Sequence, residues 1–243
     1  SQPMTLRINC WSGPRNISTA LMYSFRQRTD TTVVDEPIYA HYLEVSGRNH
    51  PGRNAVLADQ DSNGARVVEE VILGHYETPV VFFKQMCHHL VGLDRSFLSL
   101  CHNILLIREP RQVLRSHSVN LPDVKVTDIG LDVQVDLLET ILANGDRPLV
   151  VDSAVLLGDP GAVLAKVCQR LGLPFEEAML SWPAGPKPED GVWAGHWYQN
   201  AHRSTGFEAG MPGTGSLPGH LEAVLAEAQP LYDRLAEFSL TPS

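Results

Sequence analysis

The chain has 243 residues, 43% hydrophobic and 19% charged, which suits one large α/β domain with a sizeable core. A formal net charge of −9 argues against a general nucleic-acid partner, which would need a basic surface, and makes any cluster of arginines conspicuous. No apolar run is long enough to span a bilayer and no basic-then-apolar leader occurs, so no membrane partner is expected and a cytoplasmic address is.

Residues 6–11 alternate in character and predict a strand, while Ala20, Leu21, Ser24 and Phe25 fall on one face of a helix over 18–28. Between them runs Ser12-Gly13-Pro14-Arg15-Asn16-Ile17-Ser18-Thr19. Strand, tight polar turn and helix together aim free backbone N–H groups at an anion. Gly13 tolerates unusual dihedrals, Pro14 fixes φ, Arg15 adds a planar cation, and Ser18 and Thr19 add hydroxyl donors. A phosphate-binding loop and an ordinary capped helix both fit this stretch taken alone.

Thr31 to Val34 predicts a buried strand ending at Asp35-Glu36-Pro37, since Pro37 cannot donate to a ladder. Carboxylates at that end of a strand either face a ligand or sit in a solvated turn. Residues 38–45 predict a helix in which Tyr39 and Tyr42 flank His41, aromatic and polar groups suited to an acceptor pocket. Residues 46–63 are rich in Gly, Asn, Asp and Arg with weak periodicity, predicting a flexible loop that serves as a lid or substrate mouth. Residues 65–74 predict an amphipathic helix, and 79–84 a buried strand ending in Lys84. His88 and His89 follow. Neighbours on a regular element point apart and no third ligand is in phase, so no metal is expected. The four cysteines (Cys10, Cys87, Cys101, Cys168) lack CxxC spacing and predict reduced, buried thiols.

Residues 103–107 predict a strand closing on Arg108-Glu109-Pro110-Arg111, with a helix over 112–118. Arg108, Arg111 and Arg115 crowd together in an acidic chain, and Ser116 lies about two helical turns beyond the strand end. A solvated basic helix face leaves Arg108 unexplained, because it directly follows a buried strand; a clamp for a second phosphate accounts for both Arg108 and Ser116. A helix over 131–143 stops at Asn144-Gly145, and 148–152 predicts another strand. Asp159-Pro160 opens a helix over 161–171 that Gly172 closes. Residues 181–218, rich in Pro, Gly and aromatics, predict an irregular covering segment, and 221–238 a closing helix that Pro230 kinks or splits. Alternation without repeat or linker predicts a single domain, 1–243, around a parallel sheet.

These residues resemble the sulfotransferases that use 3′-phosphoadenosine 5′-phosphosulfate (PAPS). Pro14-Arg15-Asn16-Ile17-Ser18-Thr19 is similar to the family's Pro-Lys-Ser-Gly-Thr-Thr-type loop, with Arg15 for the Lys and no glycine at Ile17. Arg108 and Ser116 are similar to its strand-end Arg and helical Ser, which grip the 3′-phosphate. More narrowly, the chain resembles short bacterial and plant sulfotransferase-like proteins with Ser-Gly-Pro-Arg-Asn near the N-terminus. The likeness is weakest at 46–63 and 181–218. It implies a P-loop NTPase-like three-layer α/β fold with a central parallel sheet flanked by helices. The implied activity is sulfuryl transfer from PAPS to a hydroxyl or amine of a small-molecule acceptor, releasing PAP and needing no metal. The implied cofactor-binding residues are Ser12 to Thr19, Arg108 and Ser116, with Arg203 added by a looser likeness of Arg203-Ser204-Thr205-Gly206 to the family's late basic-Gly segment. Many members place a base histidine two residues beyond the strand-end Lys. Here that position is Met86, so the base passes to Glu36, where other members carry a Glu, with Arg15 and Lys84 as catalytic cations and His88 in reserve. Trp193 or Trp197 could cover the adenine or pack in the core. Two other readings stay open: a small-metabolite P-loop kinase using ATP and Mg²⁺, weakened by the absent GxxxxGK[ST] spacing, and a catalytically silent nucleotide-binding protein of the same fold.

Overall fold

The computed structural model describes residues 4–118, 123–210, 213 and 215–243. In chain order the elements are β1 (Leu6–Ser12), α1 (Ser18–Arg26), β2 (Thr31–Asp35), α2 (Tyr39–Ser46), α3 (Arg53–Asp59), α4 (Gly64–Val67) and β3 (Val80–Met86). There follow β4 (His102–Ile107), α5 (Pro110–Ser118), α6 (Leu131–Ala143), β5 (Leu149–Asp152), α7 (Ser153–Gly158), α8 (Pro160–Leu171), α9 (Ala194–Trp197), α10 (Gln199–Arg203) and α11 (Gly219–Ala236). The five strands form a parallel sheet in the order β2-β3-β1-β4-β5, flanked by helices, as expected for a P-loop NTPase-like α/β fold. The chain divides into two compact units, each assembled from separate stretches.

The first unit comprises the stretch ending at Cys10, Ser18–Asn103 and Glu176–Phe207. Here β2 and β3 pair in parallel with Asp35 directly opposite Lys84, so an acid and a base end adjacent strands at the same level. The apolar run Val80 to Phe83 makes β3 an almost wholly buried strand, the pattern of a covered parallel sheet, whereas β2, expected to be buried, lies at the sheet edge and buries only Val33 and Asp35. Phe25 of α1 stacks on Phe82 with ring centroids 4.4 Å apart. A second cluster joins Tyr39, Tyr42, Leu43, Val56, Trp193 and Tyr198.

That cluster overturns two expectations. Residues 46–63 are not loop throughout, because 53–59 fold as α3; Val56 is fully buried and Leu57 packs beside it. One apolar anchor per turn is too little periodicity to read, yet enough to hold seven residues against a core. Residues 181–218 likewise contain α9 and α10, whose Ala194 and Ala201 pack on the same cluster. The predicted helix 65–74 begins as α4 but loosens into a π turn over Val68–Ile72; the Ile72 carbonyl accepts from Arg7 and the Val71 carbonyl from the Tyr76 hydroxyl.

The second unit comprises Trp11–Ile17, Ile104–Phe175 and Glu208–Ser243. Here β4 and β5 pair in parallel from Ile104–Leu149 to Ile107–Asp152. Asp152 then caps α7, an unanticipated helix, by accepting from the Ala154 and Val155 amides, and also takes the Tyr232 hydroxyl. Asp159 caps α8 and Gly172 closes it in the left-handed conformation, as the sequence predicts. Pro230 does not split the closing helix. The proline is exposed, so the carbonyl it leaves unbonded meets water, while buried Leu221, Leu225, Ala228 and Leu235 seat both halves of α11.

Candidate active site

In the second unit, Trp11 and Ser12 end β1 and Ile104 to Ile107 bring Arg108 to the end of β4. Gly13 is buried, and a Cβ there would lie 2.3 Å from the Ile129 carbonyl oxygen. Its glycine is therefore required by close backbone approach, not by an unusual dihedral; the left-handed residue of the loop is Arg15, at φ +57°. Asn16 fastens the turn: its Oδ1 accepts from the Ile17 amide at 2.8 Å and its Nδ2 donates to the Leu106 carbonyl. The Ser12 hydroxyl donates to the Gly13 carbonyl at 2.7 Å. Gln134, 1% exposed, donates to the carbonyls of Trp11 and Leu106 and ties these strand ends together. Sequence reading missed Gln134 because nothing marks a helical glutamine as inward-facing before the helix is placed.

Arg15 is exposed, and the half-buried Arg108 guanidinium donates to the Arg15 carbonyl. Among the described residues neither arginine forms an ion pair with a carboxylate, although the chain is acidic. Burial, then the charge of Arg15, lowers Arg108 below the ordinary arginine range, yet an arginine so placed keeps its proton. Two cations that repel each other at a strand end make a local region of positive potential. Ser18 opens α1 and is buried, whereas Thr19 and Ser116 are half-buried. Arg203 ends α10 and is exposed.

The first unit holds the acid–base groups, gathered where β2 and β3 end. Glu36 is 6% exposed and stands at φ +41°, the other non-glycine residue of the described chain with left-handed φ besides Arg15. Such a conformation costs about 1 kcal/mol or more and persists only where the surroundings impose it. Here its amide donates to the Lys84 carbonyl, and its own carbonyl accepts from Gln60 Nε2 at 2.9 Å. Lys84, 3% exposed, donates to Glu36 Oε2 at 2.8 Å and to the Tyr198 hydroxyl at 2.6 Å, and lies 3.7 Å from Asp35. Burial opposes its charge, but Glu36 and Asp35 outweigh that and hold it above the ordinary lysine range.

The histidine beside Glu36 is His89, with Nε2 3.9 Å from Oε1, stacked against Tyr39 and Tyr42. Burial, then His88, drives its pKa well below the ordinary value, so it is neutral. His88, the sequence's reserve, is half-buried and meets Tyr42 edge-on. Neither the three-residue step from His to strand nor the place of Tyr198 in an aromatic-rich segment signals this cluster; both depend on tertiary folding. His41 bonds the Val91 carbonyl, and Tyr39 bonds His50 at 2.7 Å. Trp193 lies in the core, its Nε1 donating to the Tyr198 hydroxyl, while Trp197 is half exposed. No helix of the described residues is long and apolar enough to cross a membrane.

Comparison with known proteins places these features in a family. Residues 6–237 match the sulfotransferase domain family. Two Arabidopsis thaliana proteins named branched-chain-amino-acid aminotransferase-like protein 1 and 2 are 39% and 36% identical over 229 residues. The match takes in 94% of this chain but 41% of each of theirs, so the chain spans about two fifths of the length of these relatives. Among solved structures, the sulfotransferase domain of the Synechococcus PCC 7002 olefin synthase is similar at 17% identity and a TM-score of 0.59, over 97% of this chain and 96% of that one. The sulfotransferase domain from the curacin biosynthetic pathway is similar at 15% identity and a TM-score of 0.55, over 99% and 100%. At those identities the likeness bears on the fold, and the match over 6–237 settles the family: this chain belongs to the sulfotransferase domain family.

Proposed function

We propose that the chain transfers a sulfuryl group from PAPS to a hydroxyl or amine of a small-molecule acceptor and releases PAP. The observation that carries this reading is the arginine pair: Arg15 in a left-handed turn and Arg108 bonded to its carbonyl, neither of them ion-paired to a carboxylate among the described residues. The residues present suit the donor. Two arginines supply planar N–H donors whose hydrogen bonds phosphate oxygens accept. When bound, PAPS supplies an activated sulfuryl group whose leaving group is a phosphate. Arg15 and the loop from Ser12 to Thr19 hold the 5′-phosphosulfate and stabilise the charge that develops on that phosphate. Arg108 and Ser116 take the 3′-phosphate.

Glu36 is the base. The acceptor O–H bond breaks toward its carboxylate while the acceptor oxygen bonds to sulfur and the bond from sulfur to the PAP phosphate breaks. Lys84, bonded to Glu36 Oε2 at 2.8 Å, orients the carboxylate. Tyr39, Tyr42 and the segment lined by His50 and Arg53 shape the acceptor side, which suits a small polar or amphipathic molecule.

Calorimetric titration with PAP, ADP and ATP-Mg tests the reading. Metal-independent PAP binding that weakens sharply in Arg108→Ala is the expected result. A preference for ATP-Mg would replace it with a kinase, and PAP binding without transfer to any acceptor would leave a silent nucleotide-binding protein.

A further inference from the structure

One hydroxyl proton in the first unit is contested. The Tyr198 oxygen accepts from Lys84 Nζ at 2.6 Å and from Trp193 Nε1 at 3.0 Å, which uses both of its lone pairs. It has one proton left to give. Two carboxylates wait for it: Asp35, with both oxygens at 2.8 Å, and Glu36, with Oε2 at 3.0 Å. Asp35 also accepts from the Gly191 amide at 2.9 Å. All of these side chains are buried, so water does not settle the competition. Counting formal charges, two carboxylates face one ammonium, and a buried cluster with a net negative charge lowers its energy by taking up a proton.

We propose that Asp35 and Tyr198 are positioning residues that tune Glu36: the two carboxylates share one proton site through the Tyr198 hydroxyl. Glu36 accepts a proton from outside, its new O–H bond then breaks toward the phenol oxygen, and the phenol O–H bond breaks toward Asp35. The Lys84 ammonium swings from the phenol to Glu36 Oε2, which it already bonds. Charge and atoms balance, and Glu36 is left as a carboxylate. The groups facing Asp35 and Glu36 from the packed elements support this direction of travel. Besides Lys84 and Tyr198 they are His89 after β3, neutral and unable to supply a counter-charge, Tyr23 of α1 with its partner Asp190, Tyr39 of α2, and His50. Burial raises Asp35 to about 6, with Lys84 lowering it and Glu36 raising it, and the phenol lies nearer to both Asp35 oxygens (2.8 Å) than to Glu36 Oε2 (3.0 Å).

The proposal rests on Glu36 acting as base, but its test does not need turnover. Carboxyl-¹³C NMR of aspartate-labelled protein is followed from pH 4 to 9 in wild type, Glu36→Gln and Tyr198→Phe, without nucleotide. Asp35 should titrate near 6 in wild type. It should shift downward by about a pH unit in Glu36→Gln, which removes the like charge, and upward in Tyr198→Phe, which removes its hydrogen bond. An Asp35 resonance in the ordinary carboxylate range, or one unmoved in Glu36→Gln, overturns the proposal; that variant keeps the test decisive should Tyr198→Phe not fold. If the titrations behave as expected while PAP does not bind, the proton site stands and the sulfuryl-transfer reading falls.

Discussion

The two charged regions of this protein solve opposite electrostatic problems. Around Lys84, two carboxylates, an ammonium and a phenol are buried together, and every charge has a partner within 4 Å. Around Arg108, a half-buried guanidinium is bonded to a backbone carbonyl next to another arginine and, among the described residues, forms no ion pair with a carboxylate. A buried cluster of mixed sign can persist alone because its desolvation cost is offset internally. A pair of like cations is stabilised by an anion that comes from outside. The difference in pairing is what leads us to propose that the first region manages protons and the second binds an anion.

Breaking the proton-managing region should have the largest consequence for turnover. Glu36→Gln is expected to cut transfer by about 10²–10⁴-fold, the usual worth of a positioned base, with PAP affinity within twofold of wild type; calorimetry and a PAP-release assay measure the two separately. Retained turnover would shift the base to a histidine, with His89 the better placed. Lys84→Met should lower stability by about 3–5 kcal/mol in urea unfolding, because it strands two buried carboxylates. Exposed Arg15 should show no comparable loss on substitution, which is the comparison restated as a stability measurement.

Breaking the anion-binding region acts on affinity instead. Arg108→Ala should weaken PAP by about 10–100-fold, the loss of one charge-assisted contact, and leave the unfolding midpoint close to wild type. The smallest effect concerns pH. Asp35 binds its proton more tightly folded than unfolded, so its contribution to stability is present below about pH 4 and is lost as pH rises toward 6. Relative to wild type, Asp35→Asn should therefore gain stability as pH rises through that window, by at most about 1.4 kcal/mol per pH unit. A flat difference across the window would mean that Asp35 titrates normally.

Much of this architecture was legible in the chain itself. The apolar runs at 31–34, 79–83 and 103–107 and the caps Asp159 and Gly172 are local signals, because strand burial and helix ends depend on a few neighbouring residues. So is the strand–turn–helix layout around Arg15, and so is the isolation of Arg108 after a buried strand. Folding overrode local signals where helices were short: α3, α9 and α10 are held by one or two side chains each on the Tyr39–Tyr42–Trp193 cluster, a stabilisation no window of sequence contains. Gly13 also changed meaning, from conformational freedom to closeness of backbone, because the Ile129 carbonyl that excludes a side chain is remote in sequence.

By itself, then, the sequence determined the parallel α/β sheet, and it pointed to Ser12 to Thr19 with Arg108 as the anion site and to Glu36 as the base that we propose. Only the tertiary structure decided that Glu36 shares its environment with Asp35, Tyr198 and His89. Tyr198 is more than a hundred residues away along the chain, and its hydroxyl meets two carboxylates and an ammonium because α9 and α10 dock where β2 and β3 end. Local sequence sets which groups are available; the energy of burying them together, which fixes where their protons rest, exists only once distant segments have excluded the water between them.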